Sequence, residues 1–134
     1  MNCETSKLKE YLDNGGTFGE LRCYNLFFAP VKRLLATGNA TACQVVRLCE
    51  FFDAEWTDFV KDPGWAEFTT MNRKIRGVTQ EELSRKTGVA EATIVKVEHG
   101  PGPYKRETLA KLANSLGLTI EEYTGGLWHE PTPF

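Results

Sequence analysis

Residues 79–100 read TQEELSRKTGVAEATIVKVEHG, and this stretch decides the fold. It divides into two short amphipathic helices joined by a tight turn. In the first, Leu83 is the residue of the inner face, while Gln80, Glu81, Glu82, Arg85 and Lys86 are polar. Thr79 is a good N-cap, because its hydroxyl can accept from an otherwise unpaired backbone N–H of the first turn. Glu82 follows three residues later, as a capping box requires. Gly88 is a helix stop, since only glycine takes the left-handed conformation without a Cβ penalty. The second helix opens after Val89. Ile94 and Val97 lie three apart on one face, and Gly100 ends it.

Two helices linked by three or four residues with a Gly in the turn form the helix-turn-helix unit. The spacing Thr-Gln-x-x-Leu-Ser-x-x-x-Gly-Val-x-x-x-Thr-Ile-x-x-x-Glu-x-Gly resembles the lambda/434 repressor and Cro class of DNA-binding domain. The likeness continues upstream through Arg73-Lys74-Ile75-Arg76-Gly77-Val78. Downstream it runs through Thr108-Leu109-x-x-Leu112-Ala113-x-x-Leu116-Gly117-Leu118-Thr119. It covers residues 66–125, a little under half of the chain, and implies a five-helix domain there.

A chain of 134 residues accommodates one ordinary domain or two small ones. Its 41% hydrophobic and 25% charged residues are normal for a soluble globular protein. No apolar run is long enough for a transmembrane helix. The opening MNCETSKLKEYLDNGG has no apolar signal-peptide core, so a cytoplasmic location and no membrane partner are expected. Cys3, Cys23, Cys43 and Cys49 are widely spaced, with no CxxC and no nearby His pair. No metal site, disulfide framework or cofactor is therefore expected, and Cys43 and Cys49 read as small apolar residues.

The net charge of −2 does not point to nucleic acid, but its distribution does. Residues 1–69 carry seven Lys/Arg against ten Asp/Glu, whereas residues 70–125 carry nine against seven. The basic excess lies on the half that phosphate contacts would use.

Read in order, residues 5–13 form a helix with Leu8 and Leu12 on one face, broken at Asn14-Gly15-Gly16. Thr17 caps a second helix, with Leu21, Tyr24 and Leu26 facing inward. Pro30 sits in the first turn of a third, which runs to Gly38. Ala42 to Phe52 is a strongly apolar fourth helix, followed by a short one with Trp56 and Phe59. Lys61-Asp62-Pro63-Gly64 is the clearest break, and the domain boundary belongs there. Residues 66–76 then open the second domain, with Phe68, Met71 and Ile75 inward. After the helix-turn-helix, Gly100-Pro101-Gly102-Pro103-Tyr104 cannot continue a helix. Arg106 to Leu116 places Leu109, Leu112, Ala113 and Leu116 in the core, and Thr119 starts a last helix with Ile120 and Tyr123. Residues 126–134 are a tail whose Trp128 and Phe134 either fold back or dock a partner.

The halves echo each other. Leu21 and Leu83, like Gly38 and Gly100, are 62 residues apart. Phe52 and Leu116, Trp56 and Ile120, and Phe59 and Tyr123 are 64 apart. Residues 1–62 are thus either a degenerate copy of the same domain or an unrelated helical one.

The resemblance implies that the second helix of the unit enters the major groove. Its base-facing residues would be Glu91, Ala92 and Lys96, with Thr93 nearby. Lys96 suits guanine O6/N7, Glu91 suits cytosine N4, and the Ala92 methyl suits a thymine methyl. Gln80 would fix register against phosphate, and Lys105 and Arg106 would neutralise phosphates. The alternative for each is a solvated helix residue, most evenly balanced for Glu91, whose carboxylate repels phosphate. Arg73 and Glu98 match a family ion pair with an architectural role.

The first half lacks these signals. Phe18 stands where Gln80 does, Tyr11 where Arg73 does and Ala36 where Glu98 does. Its counterpart segment, Phe27-Phe28-Ala29-Pro30-Val31-Lys32, is apolar, so residues 1–62 are not expected to read bases. Phe27, Phe28 and Trp56 either cover a protein partner or second subunit, or fill the core.

No GxSxG, phosphate-binding Gly-Lys loop or HExxH is present, and an enzyme is not expected. The expectation is an all-α protein of two small helical domains, the second lambda-repressor-like. It would act on double-stranded DNA as a homodimeric, sequence-specific repressor of a bacterial or phage operon. The competing reading is a protein-interaction module, such as an antitoxin or phage accessory protein, that binds a partner through its first half.

Overall fold

The apolar stripes of the sequence fold into helices in the computed structural model of the chain, which describes residues 1–100 and 102–124. The tail of residues 126–134, with Trp128 and Phe134, lies outside the described residues. Among the described residues, nine α-helices and one 3-10 turn occur, and no strand. No helix among them is long and apolar enough to cross a membrane. The chain separates into two units between Asp62 and Pro63.

The first unit contains α1 (Ser6–Asp13), α2 (Phe18–Arg22), α3 (Phe28–Thr37), α4 (Ala42–Phe52) and a 3-10 turn at Trp56–Asp58. The starts of α2 and α4 are fixed by side-chain caps. The Thr17 hydroxyl accepts from Glu20 N (3.3 Å), and Thr41 and Gln44 form a complete capping box. Leu8, Leu21, Leu26, Val31, Leu34, Val45, Leu48 and Phe59 form the buried core. The first four residues strap this unit together in a way no periodicity reveals. Cys3 N donates to Gly38 O (2.7 Å), Glu4 N to Phe59 O (2.6 Å) and Lys61 N to Asn2 O (2.9 Å).

Three expectations for this unit are corrected. Trp56 is only 7% exposed, so it belongs to the core and cannot join a docking surface with Phe27 and Phe28. Asp53 takes a left-handed conformation (φ 51°) at the end of α4, which reverses the chain and folds Trp56 back onto that helix. Tyr24 faces outward instead of inward, because it lies beyond the last turn of α2, and its ring edge rests on Phe51. Cys43 is exposed, since the inner stripe of α4 is set by Val45 and Leu48, and only Cys49 is half-buried. Burial pushes the Cys49 thiol up to about 11.

The second unit contains α5 (Trp65–Ile75), α6 (Gln80–Thr87), α7 (Glu91–His99), α8 (Arg106–Ser115) and α9 (Ile120–Thr124). Its core joins Leu83, Val89, Ile94 and Val97 to Leu109, Leu112, Ala113 and Tyr123, with Phe68, Val78, Leu116 and Ile120 packed around them. Met71 is buried, but Ile75 is 47% exposed, contrary to the inward stripe expected of α5. The helix ends there and the chain turns at Gly77 (φ 68°), so Val78 packs against the core instead.

Candidate nucleic-acid interface

The angle between α6 and α7 is fixed by the residues of the turn itself. Thr79 caps α6 by accepting from Glu82 N (3.1 Å), one half of a capping box. Gly88 adopts φ 77°, and Val89 is buried directly behind it. Ser84 Oγ donates to Val89 O (2.6 Å), and the Thr87 hydroxyl accepts from Val89 N (3.2 Å). The turn thereby satisfies its own polar groups, leaving Leu83, Ile94 and Val97 to hold both helices on the core.

A second tie sits at the far end of α7. Arg73 Nε donates to Glu98 Oε2 (2.9 Å) and Arg73 Nη2 to Glu98 Oε1 (2.8 Å), a bidentate pair. The remaining arm of the guanidinium, Nη1, reaches Val78 O (3.1 Å), and Gln80 Nε2 reaches Glu98 Oε1 (3.4 Å). Glu98 therefore gathers α5, α6 and α7 at one carboxylate. The two charged side chains are only 13% and 6% exposed. Trp65 adds a clamp, since its Nε1 donates to Gly100 O (2.6 Å) just past α7.

What α7 presents outward follows from which residues it buries. Ile94 and Val97 face the core and Glu98 faces Arg73. At 100° per residue, the opposite stripe is Ala92, Val95, Lys96 and His99. Ala92, Lys96 and His99 are exposed. Thr93 is half-buried at the edge of this stripe. Glu91, also exposed, stands aside, lining an open groove with Lys74, Thr79, Gln80 and Glu81. Gln80 is half-buried, its amide engaged with Glu98. Lys105 is the N-cap of α8 and Arg106 its first residue, both exposed.

Val95 and His99 were not singled out by sequence reasoning, although the spacing from Ala92 at i+3 and i+7 carried the signal. Trp65 was missed because it lies one residue before the expected start of its helix. Among the described residues, no group of three or more His, Cys, Asp or Glu side chains is placed to hold a metal ion. The surface is an exposed helix with a small methyl and a cation on a frame tied by Glu98, chemistry that suits a base edge.

The helix-turn-helix family model matches residues 72–123, from the middle of α5 into α9. No curated protein and no solved structure matches the chain. Residues 72–123 thus form a helix-turn-helix domain similar to the lambda/434 repressor and Cro type, which supports a DNA-binding transcription regulator.

Proposed function

We propose that the protein is a sequence-specific, non-enzymatic DNA-binding repressor whose α7 reads base edges in the major groove. The observation that carries this reading is the exposed Ala92–Lys96 stripe on a helix held from behind by the Arg73–Glu98–Gln80 cluster. A rigid recognition helix places its side chains without spending affinity on ordering them. Lys96 donates to guanine O6/N7 and Ala92 packs on a thymine methyl. Glu91 and Thr93 flank these contacts, while Gln80, Lys105 and Arg106 meet the backbone.

The test is binding to the DNA just upstream of the protein's own coding sequence, at two salt concentrations. Wild type is expected to bind more tightly than to random duplex and to weaken steeply with salt. Lys96→Ala should lower the specific affinity about tenfold to a hundredfold, on the order of 1–3 kcal/mol. Binding equal to random DNA in the wild type would sink autoregulation by this protein.

A protein-interaction role is favoured by one observation: Phe27 and Phe28 are 46% and 58% exposed. Two neighbouring large aromatics in water are a feature of contact surfaces. A pull-down that depends on both rings, with no DNA binding by the same chain, would support that role.

A further inference from the structure

The first unit contains the same two-helix device as the second, in a register that the spacing of the helix ends conceals. Thr17 caps α2 as Thr79 caps α6, each accepting from the backbone N–H of a Glu three residues on. Within the turn, the correspondence becomes 63 residues. Asn25 (φ 61°) is left-handed where Gly88 (φ 77°) is. Leu26 is buried where Val89 is, and Phe27 is the extended N-cap where Ala90 is. Val31 and Leu34 are buried where Ile94 and Val97 are.

This single-residue shift changes which side chains of α3 correspond to the reading residues of α7. Counted at 62, Lys32 falls on the buried Ile94 and the helix offers nothing to DNA. Counted at 63, Ala29 falls on Ala92, Arg33 on Lys96, Phe28 on Glu91 and Ala36 on His99. Ala29, Lys32, Arg33 and Ala36 are all exposed. The small-residue-then-cation stripe of the recognition helix is therefore present twice.

Resting on the DNA-binding reading of the second unit, we propose that α3 is a second base-reading helix, so that one chain carries two unlike heads for double-stranded DNA. Arg33 donates bidentately to guanine O6/N7, which its planar fork fits better than an ammonium does. The Ala29 methyl and the Phe28 ring meet thymine methyls, and Lys32 neutralises a phosphate. Charge favours this occupant over a protein. The helix FAPVKRLLAT has two cations and no acid, and neither cation has a carboxylate partner among the described residues. Phe28 replaces the carboxylate of Glu91, removing a repulsive group. The acidic excess of the first half matters less, because screening limits its reach to about 8–10 Å.

The missing Arg–Glu pair does not count against the device, because aromatic packing takes its place. The Tyr11 hydroxyl accepts from Thr17 N (3.3 Å), and its ring meets Phe51 edge-on (5.0 Å) and Phe52 (6.0 Å). Helix α1 is thereby tied to the start of α2 and to α4 without buried charge.

The experiment is selection from a random duplex pool by the full chain, as wild type, Lys96→Ala and Lys32→Ala/Arg33→Ala. Wild type should enrich a motif of two unlike halves. Lys96→Ala should lose one half and the α3 double variant the other, with affinity down about tenfold or more. The α3 variant should also flatten the log–log salt dependence by about 0.9, the change expected for the one phosphate that Lys32 no longer neutralises. Both altered side chains are exposed, so melting should be unchanged. Arg33→Lys provides the control that keeps charge and fold: the salt slope should persist while preference at one guanine relaxes. A palindrome of a single half-site, or an α3 variant that selects the wild-type motif with wild-type affinity, overturns the proposal and leaves α7 reading alone, with α3 free for a protein. Failure of wild type to enrich any motif removes both readings together.

Discussion

Arg73→Ala is expected to destabilise the second unit by about 3–5 kcal/mol, the range for stranding one member of a buried ion pair. The guanidinium supplies two of the hydrogen bonds to Glu98 and one to Val78 O. Its removal leaves a carboxylate whose side chain is 6% exposed with, among the described residues, only the Gln80 amide at 3.4 Å. A small domain is stable by roughly 5–15 kcal/mol, so the loss is a large fraction of the total. It should appear as a lower melting temperature of the second unit and, secondarily, as weaker DNA binding. Arg73→Ala/Glu98→Leu separates the causes. If the penalty is the unpaired charge, the double variant should recover much of the stability of wild type. A single variant that melts like wild type would show that Glu98 finds water or another donor, and that the pair does not hold α7.

Tyr123→Ala should cost a similar amount, about 3–5 kcal/mol for deleting a buried aromatic ring. Helix α9 has five residues, too few to persist without packing. Tyr123 is its anchor: the ring is fully buried beside Phe68, and the hydroxyl is hydrogen-bonded to the Thr69 hydroxyl of α5. Loss of the ring should free α9 and expose the back of α8, read as amide exchange in residues 109–124. The same side chain gives a pH signature. Burial disfavours the phenolate, so the Tyr123 pKa lies well above its ordinary 10.0. The unfolded chain ionises first, and folding of Tyr123 then requires taking up a proton. Its contribution is complete below about pH 10 and is lost as pH rises toward the folded-state value. Tyr123→Phe should flatten that alkaline limb; an unchanged limb would assign it to another group.

The parts of the molecule legible in the sequence are those set by local chemistry. Thr79, Gly88, Ile94 and Val97 mark the two helices of the second unit because capping, left-handed glycine and helical spacing each act within a few residues. The Arg73–Glu98 contact was legible only through resemblance, since no periodicity links residues 25 apart. What failed were judgements that depend on how the chain turns after a helix ends. Ile75, Tyr24 and Trp56 each lie at such a point, and a change of direction there moved one into solvent, left another on the surface and buried the third. The turn between α2 and α3 is hard to read for a related reason: Asn25 takes the left-handed conformation there (φ 61°), and Asn signals such a turn more weakly than Gly.

The Trp65 clamp has an optical consequence. Its indole N–H is bonded to the carbonyl that ends α7, and its ring meets Tyr104 edge-on. Emission from this side chain therefore reports the electrostatic surroundings at the C-terminal end of α7. With Trp56 and Trp128 replaced by Phe, the remaining indole becomes a native fluorophore tied to the end of α7, a dye-free probe for the stopped-flow test of the proposed DNA binding.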